Sequence, residues 1–461
     1  MYDCSKEFNK FYRTEVVLSA KEQNELREKR KLNIQRLKDG LLAYNAEKNT
    51  EYKIAENRIQ GSMAMHTIVQ NDENDYDIDV GIVFESDNLD DLGPRATRNM
   101  VANALERKTK QFAEAPDVKT SCIRLNYAST GYHVDFAVFK RKKDNPWQDE
   151  YDYEHAGTEW SARHIKALEE WFNDEVKKHS DNFRKIVRLS KMFCKSRDSW
   201  KNMPSGLIQT VLCGEQIATQ YSRIDELFYY TMKAIVDRLE FQLSVAAPVD
   251  NGRPLVTREI DIKRMENWKS RLETNLEELD NLFDSDCSHE EAMNAWHRFF
   301  NHSYWEESTQ KNALEFSTRK GFNTFDDTEE FIEDLYPIYE QYEVKIDCKV
   351  TGNGLTIMSI HTYLEKFAPV FKKFIPFNFS VECKIGETNC PKFDKVLWKV
   401  RNIGDEAERR NDIRGQIQDR GNSIVENTRF KGHHYIECYL IRNNICVAIG
   451  HVDVPIGIDI V

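Results

Sequence analysis

The spacing of hydrophobic residues divides the first 160 residues into a long helix followed by short strands. After Ser19 and Glu22, a pair typical of a helix start, apolar residues recur at helical spacing and predict a helix over 19–46. A pattern that begins with proline predicts a second, solvated helix over 94–112. Short alternating or apolar runs predict strands at 75–85, 120–128 and 132–139.

The rest of the chain changes from a helical pattern to a strand pattern near residue 340. Apolar positions at helical spacing predict helices within 161–240, 262–283 and 290–302. Short runs separated by turn residues follow and predict a β-sandwich. These runs are VKIDCKV, GLTIMSI, FNFSVECKI, KVLWKVRNI, HHYIECYLI and ICVAIGHVDV.

These patterns together predict an α+β fold in three parts. We expect a lobe with a mixed β-sheet and a long N-terminal helix at 1–160, a helical lobe at 161–335, and a mostly-β, sandwich-like domain at 340–461. The total length of 461 residues is enough for each part to bury a core of its own.

Composition narrows the class of protein. No run approaches the roughly 18 apolar residues that a membrane span needs, and the polar start MYDCSKEFNKFYRTE predicts no secretory signal. The ten cysteines form no CxxC pair, so we expect reduced thiols in a cytoplasmic protein rather than disulfides or a zinc ribbon. The net charge of −12 argues against bulk nucleic-acid binding but is compatible with a local basic groove.

Three acidic residues interrupt strands that are otherwise apolar. Because side chains alternate along a strand, Asp77 and Asp79 share one face of DYDIDVGIVF, and Asp135 takes the corresponding face of YHVDFAVF. If the two strands are neighbours, the three carboxylates converge and repel one another unless a cation lies between them. Each acid taken alone has a simpler explanation as a surface or edge-strand charge.

This donor set favours a particular kind of metal chemistry. Oxygen ligands suit Mg²⁺, or Mn²⁺, better than zinc. Two such ions about 3.5–4 Å apart are the usual apparatus of phosphoryl and nucleotidyl transfer. We therefore expect two Mg²⁺ ions at Asp77, Asp79 and Asp135, with Mn²⁺ as the alternative metal.

A Gly-Ser pair precedes the acidic strand and suits phosphate binding. The backbone at Gly61 can approach a phosphate closely, and the hydroxyl of Ser62 can donate to it. A short helix over about 63–69 would add a favourable dipole. A Gly-Ser pair alone mostly marks a turn, so its meaning here comes from the acids that follow it.

The motifs QGSMAMHT, DYDIDVGIVF and YHVDFAVF resemble those of the bacterial cGAS/DncV-like nucleotidyltransferases (CD-NTases) of CBASS anti-phage operons. The resemblance covers about 5–335 and implies a polymerase-beta-like nucleotidyltransferase lobe with a helical lobe that closes over the nucleotide. It implies catalytic metal ligation by the three aspartates. It also implies nucleotide contacts at six positions, which are Gln60, Gly61, Ser62, Arg124, Lys191 and Ser205.

Two of these nucleotide contacts have simpler explanations. Lys191 flanks an apolar helical stripe, where an exposed lysine is common, and Ser205 after Pro204 is a plausible helix N-cap. Arg124, on the strand before Asp135, is a weaker match to a nucleotide-contacting arginine of the family.

The C-terminal part resembles a different family, the AGS-C domain, a sensor-like domain fused to some nucleotidyltransferases. The resemblance rests on VLWKVRNIGDEAERRNDIRGQI, TRFKGHHYIECYLIRNNICVAIGHV and VKIDCKV. We interpret Arg414-Gly415 as a turn with a solvated arginine, with a ligand contact as the alternative. The spacings of the nearby histidines and cysteines do not fit a common zinc site, so we interpret them as strand residues. They are His433, His434, Cys438, Cys446 and His451.

The resemblance implies an enzyme, a template-independent nucleotidyltransferase that makes a cyclic di- or trinucleotide second messenger from ATP, GTP or other nucleoside triphosphates with release of pyrophosphate. Its expected partners are these substrates, a phage-derived or cellular trigger at the C-terminal domain, and an effector encoded nearby. The alternatives are a linear oligonucleotide synthase or terminal transferase acting on RNA, a transferase that modifies a protein or drug, and a catalytically inactive nucleotide sensor.

Overall fold

The protein divides into two compact units, Met1–Ser317 and Thr318–Val461. The computed structural model describes residues 1–70, 76–128, 130–145, 150–306, 329–352, 354, 357–371 and 374–457. None of the helices in these ranges is long and apolar enough to cross a bilayer.

The first unit combines one sheet with a large helical part. The helices described there are α1 Ser5–Phe11, α2 Ala20–Lys48, α3 Gly61–Ala64, α4 Pro94–Glu106, α5 Ala167–His179, α6 Asn182–Lys195, α7 Gly206–Gln216, α8 Ile224–Phe241, α9 Glu259–Glu277 and α10 His289–Phe300. The strands are β1 Ile54–Ile59, β2 Asp77–Glu85, β3 Asp117–Val118, β4 Ile123–Asn126, β5 His133–Lys142, β6 Asp152–Ala156 and β7 Trp160–Ala162. Single turns of other helix types lie at Tyr12–Val16, Ser86–Leu89, Asp250–Gly252 and Asp280–Phe283.

The sheet is mixed, as the sequence predicts. Its order is β1-β2-β5-β4-β3, with β6 beside β5 and β7 beside β6. β2 and β5 run parallel, and the other neighbours are antiparallel. The apolar residues between the acids face a core that α2 and α4 cover, which leaves the acids on the opposite face.

The long helix α2 begins where the sequence predicts. The Ser19 hydroxyl accepts a hydrogen bond from the Glu22 N–H, and the Glu22 carboxylate accepts one from the Ser19 N–H, which completes a capping box. About two thirds of the way along, Gly40 lies against α4, and a Cβ there would be 2.0 Å from the Ala104 carbonyl oxygen. Helices α2 and α4 therefore cross in close contact at Gly40.

The helical part has an aromatic core, which includes Trp268, Trp296 and Trp305. The helix α1 contributes Phe8 and Phe11 to this core, although it precedes the sheet in the sequence. The two ring centroids of Phe8 and Trp296 lie 4.4 Å apart in an edge-on arrangement. The beginning of the chain is thus anchored in the helical part.

The second unit is a sandwich of two antiparallel sheets. Its described strands are β8 Val344–Thr351, β9 Met358–Ser359, β10 Ser380–Thr388, β11 Lys395–Arg401, β12 Arg414–Asp419, β13 Ser423–Asn427, β14 Gly432–Arg442 and β15 Ile445–Ile456. The sheet orders are β13-β10-β8-β9 and β12-β11-β14-β15. Its described helices are α11 Ile332–Leu335, α12 Ile360–Phe371 and α13 Asp405–Arg409. Apolar residues of both sheets share one core, so the predicted sandwich is confirmed.

Two sequence predictions for this unit are wrong. GLTIMSI was expected to form a full strand, but among its described residues only Met358–Ser359 pairs, and α12 begins directly after it. Residues 355–356 of this run lie outside the described residues. The cysteines were expected to be reduced, but Cys348 and Cys383 form a disulfide. The cause is strand register, since the two residues lie directly opposite each other on β8 and β10 with their Cα atoms 4.1 Å apart.

A group of buried charges lies on the outer side of the second sheet. We call it the Glu437 network, and it consists of Glu329, Lys399, Arg401, Glu437 and His451. The Lys399 ammonium is 2.6 Å from Glu329 and 3.9 Å from Glu437, and Arg401 is 3.2 Å from Glu329. The network fastens the segment around Glu329 to the sheet.

Apolar residues continue this attachment of the segment that follows Glu329. Ile332 and Ile338 pack against Leu397 and Tyr439 of the sheet. The Ile338 backbone also pairs with Cys446 on β15. Residues 329–339 therefore belong to the packing of the second unit.

Candidate active site

The parallel pairing of β2 and β5 brings the three predicted acids together. Register places Asp79 directly opposite Asp135, and Asp77 opposite His133. Asp77 and Asp79 share one face because they are two residues apart on a strand. The predicted convergence of the acids is therefore confirmed, and we call Asp77, Asp79 and Asp135 the Asp triad.

Arg124 is the counter-ion of this triad. It lies opposite Asp135 on the antiparallel neighbour β4 and donates to both carboxylate oxygens, at 2.7 and 2.6 Å. The same guanidinium donates to Asp77 at 3.1 Å. These hydrogen bonds raise the pKa of Arg124 further above its usual range. Sequence reasoning placed Arg124 at a nucleotide, and that contact stays a prediction.

Asp79 is the least compensated member of the triad. Burial, and then the charges of Asp77 and Asp135, raise its pKa to about 7. Arg124 forms ion pairs with the other two acids, and none with Asp79 is found within the described residues. Near neutral pH, about half of the Asp79 carboxyl groups are therefore protonated unless a cation stabilises the charged form.

Gly61 lies against this carboxylate in a conformation that glycine tolerates. Its φ is +64°, and a Cβ at this position would be 2.0 Å from the Asp79 Oδ2 atom. The adjacent Gln60 N–H donates to the Asp79 carbonyl at 3.0 Å, which holds the turn beside β2. The Gly-Ser turn and the triad are thus one continuous structure.

The triad fits a hard divalent cation by chemistry, although its side chains are not arranged as a ligand set. Within the described residues, no three His, Cys, Asp or Glu side chains are grouped so that they could hold a metal ion. The guanidinium of Arg124 lies between Asp77 and Asp135 and accounts for this arrangement. The donors are all carboxylate oxygens, and the raised pKa of Asp79 marks the negative charge that a Mg²⁺ ion would neutralise.

Lys191 points from α6 towards the sheet and is held there by a residue that sequence reasoning missed. Its ammonium donates to the Thr67 hydroxyl at 2.7 Å and to the Thr67 carbonyl at 3.0 Å. Burial, and then the charges of Arg188 and Lys195, lower its pKa to about 7. Gly206 makes room for this side chain, since a Cβ there would be 2.9 Å from the lysine Cε.

Ser205 and Gln60 have local roles in the structure. Ser205 is the N-cap of α7 and accepts the Ile208 N–H at 3.4 Å, as the simpler sequence interpretation predicts. Gln60 is the N-cap position of α3, and its side chain packs over Gly81. The helix α3 is a single turn, shorter than the predicted 63–69. Nucleotide contacts of Ser205 and Gln60 stay predictions.

A cavity of about 550 Å³ connects the sheet with the helical part of the same unit. It is large enough for a nucleotide-sized ligand. The predicted site residues on its wall are Gly61, Ser62, Asp77, Asp79 and Lys191. Further lining residues come from the α6–α7 region and were not predicted, and they include Trp200, Met203, Leu207 and Thr210. These are ordinary core-type residues in the sequence, so no local signal distinguished them.

Comparison with known families agrees with this geometry. Residues 55–139 match the nucleotidyltransferase domain family of the cyclic GMP-AMP synthase DncV. Residues 326–457 match AGS-C, the adenylyl/guanylyl and SMODS C-terminal sensor domain. The chain carries a DncV-like nucleotidyltransferase domain and an AGS-C domain. The predicted resemblances to these two families, and the prediction of a nucleotidyltransferase enzyme, are therefore confirmed.

Individual relatives extend the likeness over most of the chain. A cyclic GMP-AMP synthase of Escherichia albertii is 23% identical over 409 residues, which cover 84% of this chain and 82% of the relative. The crystal structure of the Vibrio cholerae DncV cyclic AMP-GMP synthase with the linear intermediate 5′ pppA(3′,5′)pG matches with a TM-score of 0.52 and 16% identity. It covers 66% of this chain and 97% of DncV.

A second DncV structure, described as a prokaryotic cGAS homolog, gives the same result. It has a TM-score of 0.52 and 17% identity, and covers 65% of this chain and 96% of that one. At these identities the likeness concerns the fold. The predicted α+β fold with a mixed sheet, helices and C-terminal antiparallel sheets is confirmed.

Proposed function

We propose that this chain makes a cyclic di- or trinucleotide second messenger from nucleoside triphosphates, with release of pyrophosphate, in anti-phage signalling. The observation that carries the proposal is the placement of Asp77, Asp79, Gly61 and Lys191 on the wall of one nucleotide-sized cavity, with Asp135 opposite Asp79 on the neighbouring strand. The 23% identity to a cyclic GMP-AMP synthase supports the cyclic product.

In this proposal Asp77, Asp79 and Asp135 hold two Mg²⁺ ions, with Mn²⁺ as a substitute. When bound, such ions neutralise the triphosphate and lower the pKa of an attacking ribose hydroxyl. The raised pKa of Asp79 supports this assignment, because a carboxylate buried among like charges gains most from a cation. Arg124 fixes the orientation of Asp135 and Asp77 through its hydrogen bonds.

The side chains have separate roles in the transfer. The Lys191 ammonium and the Gly61–Ser62 turn hold the triphosphate of the donor nucleotide, and an acceptor hydroxyl then attacks its α-phosphate. Both oxygens of Asp135 already accept hydrogen bonds from Arg124, which orients this carboxylate. We assign Asp135 to holding a metal ion, which when bound would lower the pKa of the hydroxyl so that its proton passes to water while pyrophosphate leaves.

The proposal extends to the setting of the enzyme. The AGS-C domain senses a phage-derived or cellular trigger in the cytoplasm, and a nearby effector responds to the product. The match of residues 326–457 to a family of C-terminal sensor domains supports the proposal that this domain senses a trigger. The acidic balance of the chain, −12 in total, supports an enzyme of free nucleotides over one that tracks RNA.

The test is incubation of the purified chain with Mg²⁺ and all four radiolabelled ribonucleoside triphosphates. A product that resists both phosphatase and single-strand nuclease supports a ring, and mass spectrometry then gives its size and bases. A phosphatase-sensitive ladder, or labelling of an added RNA, would establish the linear synthase or terminal transferase instead. Asp87→Asn is a matched control for substitutions of the triad, because Asp87 is an exposed acid just beyond β2.

A further inference from the structure

The AGS-C domain contains a second cavity, of about 560 Å³, which the nucleotidyltransferase reaction does not use. It lies between β12 and β13, the edge strands of the two sheets. The turn at Gly421 joins these strands, so the cavity is at an open edge of the sandwich. Its lining is predominantly polar.

Arginines dominate the charge of this cavity. Arg414 and Arg420 both bind the single carboxylate of Glu426, at 2.7 and 2.5 Å. Arg429 also lines the cavity, and it has no acidic partner within the described residues. With Asp412 as the other acid, the wall carries three arginines and two carboxylates, a net charge of +1. The excess charge selects for an anion.

The sequence interpretation of Arg414-Gly415 as a turn with a solvated arginine is wrong. Arg414 is partly buried and forms a two-pronged ion pair with Glu426 across the two sheets. Its φ is +60°, an uncommon conformation for a residue other than glycine. Strained backbone of this kind persists where the surroundings determine it, and it is frequent at binding sites.

The opposite wall is fixed by a buried histidine. The Nδ1 atom of His434 accepts the Ile403 N–H at 3.2 Å, so its Nε2 atom carries the proton and donates to the Phe430 carbonyl at 3.1 Å. Burial lowers the pKa of His434, so the ring adds no positive charge to the cavity. Because His434 and Arg414 are already held by hydrogen bonds, a ligand would need to order few of the side chains of this cavity.

We propose that this cavity binds a small phosphate-bearing anion of about nucleotide size. Guanidinium groups pair with phosphate oxygens through two parallel hydrogen bonds, and Arg429 is available for such a pair. Arg420 can exchange its share of Glu426 for the ligand, because Arg414 still neutralises that carboxylate. The rest of the ligand would contact the ring of Phe430 and the side-chain oxygen of Asn402, whose amide nitrogen already donates to the Asp412 carbonyl.

Strand β12 gives this site a connection to the beginning of the domain. The Glu330 N–H donates to the Gly415 carbonyl at 3.0 Å, and the Ile417 N–H donates to the Glu330 carboxylate at 2.7 Å. Gly415 directly follows Arg414 in the cavity wall. A ligand that moves β12 therefore acts on the segment that begins at Glu329.

The test is calorimetric titration of the full chain carrying Asp77→Asn and Asp79→Asn, in EDTA, with adenosine 5′-monophosphate, pyrophosphate and citrate as probes. We expect the phosphate probes to bind, and Arg420→Ala and Arg429→Ala each to weaken their Kd by about tenfold. Arg409→Ala is the matched control, an exposed arginine paired with Glu406 on α13. Lys191→Ala is added to the two triad substitutions throughout, because it removes the ammonium that the proposed function assigns to triphosphate binding in the catalytic cavity.

The outcomes separate clearly. Weaker binding in the two cavity variants, with unchanged binding in Arg409→Ala, supports the proposal. Equal Kd values in all variants, or no binding of either phosphate probe at millimolar concentration, overturns it. Citrate binding as tight as adenosine 5′-monophosphate overturns the assignment to phosphate. The result is independent of the proposed nucleotidyl transfer, because Asp77, Asp79 and Lys191 are substituted throughout.

Discussion

The two units each bury a group of charges, and they neutralise them in opposite ways. In the first unit, burial and two neighbouring acids raise the pKa of Asp79 to about 7. In the second, burial would also raise the pKa of Glu437, but hydrogen bonding from His451 and the charge of Lys399 lower it to about 2. Depth of burial is therefore a poor guide to function.

The useful distinction is whether the protein supplies the compensating charge. Each carboxylate of the Glu437 network has a cation within 4 Å, and the Tyr439 hydroxyl also donates to Glu437 at 2.7 Å. Such a network is complete and serves packing. The Asp triad has one guanidinium for three acids, and this deficit is typical of a site that binds a cation from solution.

The largest expected effect is on catalysis. Asp79→Asn should lower pyrophosphate release from nucleoside triphosphates by at least about a hundredfold, because it removes charge stabilisation where the reaction develops charge. The same change should leave the metal-free protein as stable as wild type or more stable, since it removes like-charge repulsion. Rate assays and thermal unfolding in EDTA measure the two effects. A loss of stability as large as that of a core mutation would contradict this, and would show that the Asp79 carboxylate, like that of Glu437, stabilises the fold.

The opposite result is expected for Lys399→Met. It leaves Glu329 and Glu437 buried with fewer partners, so the second unit should lose about 3–5 kcal/mol of unfolding free energy. Lys345→Met is the control, because its ion pair with Glu387 is exposed and should be worth about 0–1 kcal/mol. Denaturant unfolding followed by hydrogen exchange on β11 and β14 reports both. Equal losses in the two variants would contradict the comparison.

The two units should also respond differently to pH. The pKa of Asp79 is raised from 3.8 to about 7, so the metal-free first unit should lose stability as the pH rises from about 4 to 7. Asp79→Asn should abolish this loss.

In the second unit, the pKa of His451 is raised from 6.5 to about 9, because hydrogen bonds to Asp453 and Glu437 outweigh its burial. Its stabilisation is complete below pH 6.5 and is lost as the pH rises through about 9. The contribution of Glu437 is present above 4.5 and is lost as the pH falls through about 2. Hydrogen exchange measured on each unit from pH 2 to 9 tests these three ranges, with the loss in the first unit between about pH 4 and 7 and the losses in the second unit below 4.5 and above 6.5. Curves that coincide for the two units would contradict them.

The smallest expected effect concerns Ser205, which either only caps α7 or also contacts a nucleotide phosphate. Ser205→Ala removes the N-cap of α7 and should cost about 1 kcal/mol of stability. If capping is its only role, KM for ATP or GTP stays at the wild-type value. A severalfold rise in KM, absent from Ser205→Thr, would establish the predicted phosphate contact. Steady-state kinetics with the two variants decides between them.

The sequence predicted the parts of this molecule that depend on local pattern. The capping box at Ser19 and Glu22, the alternation that puts Asp77 and Asp79 on one face, and the start of α4 at Pro94 were all predictable. Helical spacing also predicted most of α5 and α6. These features depend on neighbours within a few residues.

Register between distant strands was beyond sequence reasoning. The pairing of Arg124 with Asp135 and the disulfide of Cys348 with Cys383 both depend on which residues lie opposite one another. The partner of Lys191, Thr67, is 124 residues away along the chain. The strands β1, β6 and β7 were also missed, because they are short and half-exposed.

The attachment of Glu329 also affects how this domain can be joined to other proteins. Lys399 and Arg401 pair with the carboxylate of Glu329, which lies eleven residues before the predicted boundary at 340. A fusion joint placed at 340 would leave both cations buried without it, whereas a joint before 329 would transfer the domain with its own counter-charge. We therefore expect that natural gene fusions and laboratory chimaeras retain this segment with the sandwich.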